Sequence, residues 1–284
     1  MIKRKTGLSQ GAAIGPEEFQ AFRDAGIDCL EISPSEKQYD SIDIGRLKAL
    51  SDAYGVELRS FHLRFCDFAR YDISGKDEDA RRFAVAYHKK FISDCAAAGI
   101  KIFVVHASGE PIENADRAAR IDRAKASLCE LAEYADRFGA VVAVENLPRT
   151  CLGNTGKELM DLISCDDRLR IYFDTNHLLS EDHETFLRAV APKLITTHFS
   201  DYDFINERHW LPGEGDIDWK ALMDLLDETG YAGAVVYEVP LAAAMNTLAR
   251  HRDLTPADIK RNHIELESRA SLTVIGRRYD NLGF

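Results

Sequence analysis

Residues 102–148, IFVVHASGEPIENADRAARIDRAKASLCELAEYADRFGAVVAVENLP, decide the fold. Ile102–His106 and Val141–Glu145 are short, almost wholly apolar runs rich in β-branched residues. Between them, Ala115–Phe138 is a long amphipathic helical stretch, and Gly139 sits where a left-handed residue closes a last turn. Strands that are apolar throughout belong to a parallel sheet covered on both faces. Two of them joined by a helix make one crossover unit.

The same unit recurs in both directions. The predicted strands are Lys5–Leu8, Cys29–Ile32, Glu57–His62, Ile102–His106, Val141–Glu145, Arg170–Phe173, Leu194–Phe199 and Ala234–Val239. The predicted helices are Pro16–Ala25, Asp43–Tyr54, Asp77–Ala98, Ala115–Phe138, Lys157–Ser164, His183–Ala191, Asp218–Thr229 and Pro256–Arg269. Pro16-Glu17-Glu18 makes a good first turn, and Gly99, Gly139 and Gly230 fall just past helix ends. Eight alternating units in 284 residues predict an α/β fold, a single (β/α)8 TIM barrel filling residues 1–284 as one domain. A doubly wound sheet is the alternative. The segment Leu241–Thr255 is expected to be an extra loop or short helix that shapes the pocket or a dimer contact.

Composition bounds the partners. Lys plus Arg number 36 and Asp plus Glu 47, for a net charge of −11, which argues against coating nucleic acid through net charge. The apolar runs are far shorter than the roughly 18 residues that span a bilayer. The start, MIKRKTGLSQGAAIG, has no apolar stretch of a secretory leader. Cys29, Cys66, Cys95, Cys129, Cys151 and Cys165 form no CxxC pair and are expected to be buried, reduced thiols, which suggests the cytoplasm. GNTGK at 153–157 lacks phosphate-loop spacing, and no GxGxxG or GxSxG occurs.

The polar residues carry the chemistry. In a barrel of this kind the active site lies at the C-terminal ends of the strands. Six predicted strands end at or beside a residue able to bind a metal: His62, His106, Glu145, Asp174, His198 and Glu238. Such side chains are costly inside a parallel sheet unless paired or bound to a cation. Glu145, Asp174, His198 and Glu238 come from four neighbouring strands and are placed to converge on one divalent ion, Mn²⁺, Co²⁺, Mg²⁺ or Zn²⁺. His62 and His106 are further metal ligands, substrate contacts or satisfied core histidines. His177 binds substrate or caps the next helix. Glu31 is a structural ion-pair partner or a substrate contact. In the loop after strand 7, Arg208, His209 and Trp210 precede Pro212-Gly213-Glu214-Gly215 and read as a substrate clamp, against a solvated loop with Trp210 packed on a neighbour. His88, His183, His251 and His263 are expected at the surface.

Taken together, VENLPR (144–149), FDTNH (173–177), THFSDYD (197–203) and RHWLPGEGDIDW (208–219) resemble the sugar phosphate isomerase/epimerase superfamily of xylose isomerase-like barrels. That group includes the ketose 3-epimerases and, more distantly, endonuclease IV. The resemblance runs from GLSQG (7–11) to VYEVP (236–240). It implies a metal on Glu145, Asp174, His198 and Glu238, with Glu145 and Glu238 also the catalytic acid/base pair. It implies substrate contacts by His177 and Arg208. His62, His106, Glu145, Asp174, His177, His198, His209 and Glu238 also match eight of the nine zinc ligands of endonuclease IV. The ninth falls on Glu207, where that family has aspartate, and the preceding loop is shorter. The expected activity is a metal-dependent isomerase or epimerase acting on a small carbohydrate, free or phosphorylated, with no nucleic-acid or membrane partner and room for a homo-oligomer. The alternatives are a zinc phosphodiesterase on abasic DNA and a polyol dehydratase.

Overall fold

The computed structural model describes residues 2–242 and 253–273. Its strands are β1 (Thr6–Gln10), β2 (Cys29–Ile32), β3 (Glu57–His62), β4 (Ile102–His106), β5 (Val141–Glu145), β6 (Arg170–Asp174), β7 (Leu194–Phe199) and β8 (Val235–Tyr237). They pair in sequence order, and β1 closes the ring on β8 through Thr6↔Val235, Gly7↔Val236 and Leu8↔Tyr237. All pairings are parallel, so the sheet is a closed barrel and the doubly wound alternative falls. The helices on the outside are α1 (Pro16–Ala25), α2 (Ile44–Tyr54), α3 (Phe68–Tyr71), α4 (Glu78–Ala97), α5 (Asn114–Asp136), α6 (Gly156–Ile163), α7 (His183–Val190), α8 (Trp219–Glu228) and α9 (Pro256–Ser268). Each predicted helix is there. The short α3 is an addition, started by the Asp67 carboxylate accepting from Ala69 N. Most of Leu241–Thr255 lies outside the described residues, as does His251. No described helix is long and apolar enough to cross a membrane.

Side-chain parity separates two cores. Successive strand residues face opposite ways. Ile102, Val104, Ala143 and Tyr172 pack together inside the barrel. Phe103, Val105, Val142, Val144, Ile171 and Phe173 belong to the large cluster shared with the helices. His106, Glu145 and Asp174 share the parity of the inner set, so they too point inward. Register then places His106 beside Glu145 and Asp174 beside His198. The apolar inner layer is the floor on which the polar strand ends stand.

Helix ends follow the sequence signals. The Glu18 carboxylate accepts from Gly15 N at 2.7 Å, and Gly99, Gly139 and Gly230 take φ of +95°, +59° and +74°. The long loop between β7 and α8 is tied down by Asp201, which is fully buried. Its Oδ2 accepts from Gly213 N and the Trp219 indole N–H, both at 2.7 Å, and its Oδ1 from Tyr202 N at 2.9 Å and Ile217 N at 3.2 Å. Gly215 lets the chain pass: a Cβ there would lie 2.3 Å from Asp201 Oδ1 and 2.4 Å from the Tyr202 carbonyl oxygen.

Three histidines expected at the surface are corrected. His88 and His263 are buried, 1% and 4% exposed, and His183 is half-buried. Each donates an Nε2–H to a backbone carbonyl, of Arg64, Arg4 and Thr175 respectively, at 2.8–3.0 Å. The cysteines are all free, but only Cys29, Cys95 and Cys151 are buried; Cys66, Cys129 and Cys165 are half-buried.

Two predictions follow from this packing. Gly215→Ala overpacks the Asp201 turn and lowers unfolding free energy by about 1–3 kcal/mol in urea titration; an unshifted midpoint contradicts the fit described. His88 and His263 each hold Nδ1 buried without a hydrogen-bond partner, and burial pushes both down to about 4. An unfolded histidine titrates near about 6.5, so the stability these two contribute is complete above that pH and lost as pH falls toward about 4. Replacing both with Gln removes this term, and the loss of stability between about pH 7 and about pH 5 shrinks relative to the parent. An equal loss in both proteins contradicts the assignment.

Candidate active site

The inward-facing strand ends form one connected cluster. Glu145, 1% exposed, is its centre. Its Oε2 lies 3.2 Å from His62 Nε2 and 3.0 Å from His106 Nε2, and its Oε1 lies 2.9 Å from His198 Nδ1. Asp174 Oδ2 and Glu238 Oε2 stand 3.6 and 3.5 Å from the same His198 nitrogen. Asn146, next after Glu145, fixes the end of β6: its Oδ1 accepts from Asp174 N at 2.7 Å and its amide donates to the Asp174 carbonyl at 2.9 Å.

The imidazoles are oriented from outside. His62 Nδ1 faces the Leu63 carbonyl at 3.0 Å and His177 Nδ1 the Asn146 carbonyl at 2.9 Å. A carbonyl only accepts, so these nitrogens carry the proton. His198 Nε2 faces the fully buried Glu31 carboxylate at 2.6 Å, which Ser60 Oγ also reaches at 2.9 Å. Glu31 is therefore the structural partner of His198. The other nitrogen of each ring is left turned toward carboxylate oxygens, a pattern that second partners impose on metal-binding histidines.

The donor set fits a divalent ion. One atom each from Glu145, Asp174, His198 and Glu238 lie within 4.8 Å of one another. Ligands about 2.0–2.3 Å from one ion span such a distance. Asp174 Oδ2 is buried with no hydrogen-bond partner, a costly state that a cation relieves. His62, His106 and Glu145 form a second group of the same compactness. Among the described residues His177, Glu207 and His209 form no such group. Glu207 Oε1 is 3.3 Å from His177 Nε2, but its Oε2 accepts from Arg149 at 3.1 Å. His209 Nδ1 lies 3.3 Å from the Glu238 carbonyl.

Charge is distributed unevenly. Burial works against ionising Glu145, yet His198, His106 and His62 hold it well below the usual carboxylate range. Burial, with Asp174, Glu145 and Glu31 nearby, pushes Glu238 well above it, against the pull of His198. Burial disfavours a charged His198, but Glu238, Glu31 and Glu145 raise it well above the ordinary histidine value.

A cavity of about 190 Å³ opens above the cluster, lined by His62, Phe65, His106, Glu145, His177, Glu207, His209 and Glu238 among others. Phe65 stacks on His106 with ring centroids 4.3 Å apart. Arg149, held at φ +52°, reaches Glu110, Asn206 and Glu207 and so ties the loops after β4, β5 and β7 together at the rim. Arg208 and Trp210, expected as a clamp, are not among the residues that line this cavity. Trp210 is 4% exposed and exchanges backbone hydrogen bonds with Asp201; Arg208 pairs with Asp203 at 2.8 Å and lies over the Trp210 ring. The turn that carries them is pulled inward by Asp201 and by Asn176 Oδ1, which accepts from Arg208 N. Phe65, Glu110 and Arg149 were not legible as site residues. Only their position just after strand ends marks them.

Comparison with known proteins finds sugar epimerases among those similar to this chain. A probable ketose 3-epimerase of Synechocystis sp. is 28% identical over 242 residues, covering 79% of this chain and 79% of that protein. The D-psicose 3-epimerase of Ruminiclostridium cellulolyticum is 28% identical over 228 residues, 75% of this chain and 74% of its own. Among solved structures, a D-tagatose 3-epimerase-like protein superposes with a TM-score of 0.76 at 22% identity, covering 93% of this chain and 98% of that one, which shows the same fold. The sequence model of the xylose isomerase-like TIM barrel family matches residues 19–259, and the chain belongs to that family.

Proposed function

We propose that the protein is a divalent-metal-dependent sugar isomerase or epimerase. The observation that carries this reading is the convergence of oriented imidazole nitrogens and an unpartnered Asp174 oxygen on the Glu145 carboxylate, at the floor of a cavity the size of a small polar ligand. The relatives named as ketose 3-epimerases support it. Glu145, Asp174, His198 and Glu238 would hold the cation. When bound, it supplies Lewis acidity that polarises a carbonyl and acidifies the neighbouring C–H.

The chain's own side chains do the rest. Glu145 and Glu238 come from different strands and both reach the cavity. One takes the proton from the substrate carbon and the other returns one. His177 and His209, set across the cavity mouth with ring centroids 6.2 Å apart, orient substrate oxygens. Glu31 and Asn146 hold His198 and Asp174 in place. Phe65 and the Arg149 strap limit access of water. The partner is a small carbohydrate.

The compact His62–His106–Glu145 group favours a second reading, a multinuclear phosphodiesterase of the endonuclease IV kind. The engagement of Glu207 by Arg149 favours the isomerase, because it draws that carboxylate away from a third ion.

Three measurements test the proposal. Glu145→Gln and Glu238→Gln each lower solvent-deuterium incorporation into a responsive ketose by about 10²–10⁴-fold, followed by NMR with circular dichroism as the folding control; turnover at the parental rate overturns the two-glutamate assignment. Metal analysis of Mn²⁺- or Zn²⁺-reconstituted protein returns one or two ions per chain, whereas three, with nicking of abasic-site DNA, gives the phosphodiesterase reading. Asp174→Asn weakens Mn²⁺ binding at least tenfold by titration calorimetry, and an unchanged affinity moves the ion elsewhere.

A further inference from the structure

A second cavity adjoins the first and belongs to none of the roles above. It has a volume of about 420 Å³ and is lined by Ser9, Gln10 and Gly11 at the end of β1, Ser33 after β2, and Val239, Pro240, Leu241 and Ala242 after β8. Its remaining wall is His209 and Glu238, which line the first cavity as well. The carboxylate of Glu238 therefore stands at a partition, with the candidate metal cluster on one side and this lobe on the other.

Size separates the two. The inner cavity, about 190 Å³, is below the roughly 300–1,000 Å³ of most small-molecule sites. It has room for a single sugar unit in the reacting position. The outer lobe alone falls within that range.

Chemistry separates them further. The inner wall carries Glu110, Glu145, Arg149 and Glu207 with its histidines. The outer wall has no charged side chain of its own beyond the shared Glu238 and His209. The wall combines the apolar side chains of Pro240 and Leu241 with the polar side chains of Gln10 and Ser33. A charged group placed there meets no counter-charge among the lining residues other than Glu238 and His209. An uncharged ring with an apolar face and a hydroxyl rim matches both halves of the wall.

We propose that this lobe is a subsite for a second, uncharged polyhydroxylated group joined to the reacting sugar, so that the preferred substrate is a neutral glycosyl-linked keto sugar and not a free monosaccharide. The inference rests on the isomerase reading for the identity of the reacting end, but the subsite stands on its own binding test. Glu238 and His209 would lie against the linkage, with the keto sugar toward Glu145 and the second ring toward Ser33.

The test uses the Mn²⁺-loaded protein and two probes, a free ketohexose and a neutral disaccharide with a ketose end. Titration calorimetry measures affinity, and deuterium incorporation from D₂O measures turnover. The disaccharide is expected to bind at least tenfold more tightly. Ser33→Trp, which fills the lobe from the β2 side, is expected to reduce that ratio to near one. Ala242→Trp, a change at an exposed position on the opposite wall, does the same if Ser33→Trp fails to fold. Equal affinities for the two probes in the parent protein, or a ratio unmoved by either tryptophan, overturns the subsite. Preferential binding without deuterium exchange in any ketose leaves the subsite standing and removes the isomerase reading.

Discussion

The structure depends on one carboxylate surrounded by imidazoles in the barrel interior. Glu145 is almost wholly buried, and three histidines from three other strands turn a ring nitrogen toward it. An isolated ionised carboxylate at such depth is too costly to keep. Its position is sustained because its neighbours are themselves held: His62 by a backbone carbonyl, His106 by the stacked Phe65 ring, His198 by Glu31, and Asp174 by Asn146. The strand register sets the distances, and the outer partners set the angles. The polar layer is thus as determined by the fold as the apolar layer of Ile102, Val104, Ala143 and Tyr172 beneath it.

Much of this was legible in the sequence, for a physical reason. A parallel barrel strand alternates between helix-facing and barrel-facing positions, and its last inward position opens on the mouth. A histidine or acid there has no apolar explanation, and six such residues recur at that place. The strand limits were close because apolar β-branched runs bounded by glycine and polar residues leave little freedom. The departures are local. β1 runs on to Gln10 because it pairs with Ile32, and β8 stops at Tyr237, so Glu238 lies just beyond the last paired residue.

The misplaced residues share one cause, which is tertiary hydrogen bonding invisible to a local pattern. His88 and His263 looked like helix-surface residues, but each finds a distant carbonyl that accepts its N–H. Arg208 and Trp210 read as a substrate clamp in a glycine-rich loop. Asp201 gathers that loop and buries the indole of Trp210. Arg149 gave no signal in sequence because its partners, Glu110 and Glu207, lie in two other loops. Loop residues near a barrel mouth are chosen by what the neighbouring loops present, and that is known only once the ring is closed.

On the function proposed above, the strand-end cluster is a cation site built around Glu145. The most direct measurement is anomalous diffraction from crystals of the protein grown with Mn²⁺. The expected result is an anomalous peak bonded to Glu145, Asp174, His198 and Glu238 together. A peak elsewhere, or none at saturating Mn²⁺ with the four side chains ordered as described, would contradict it.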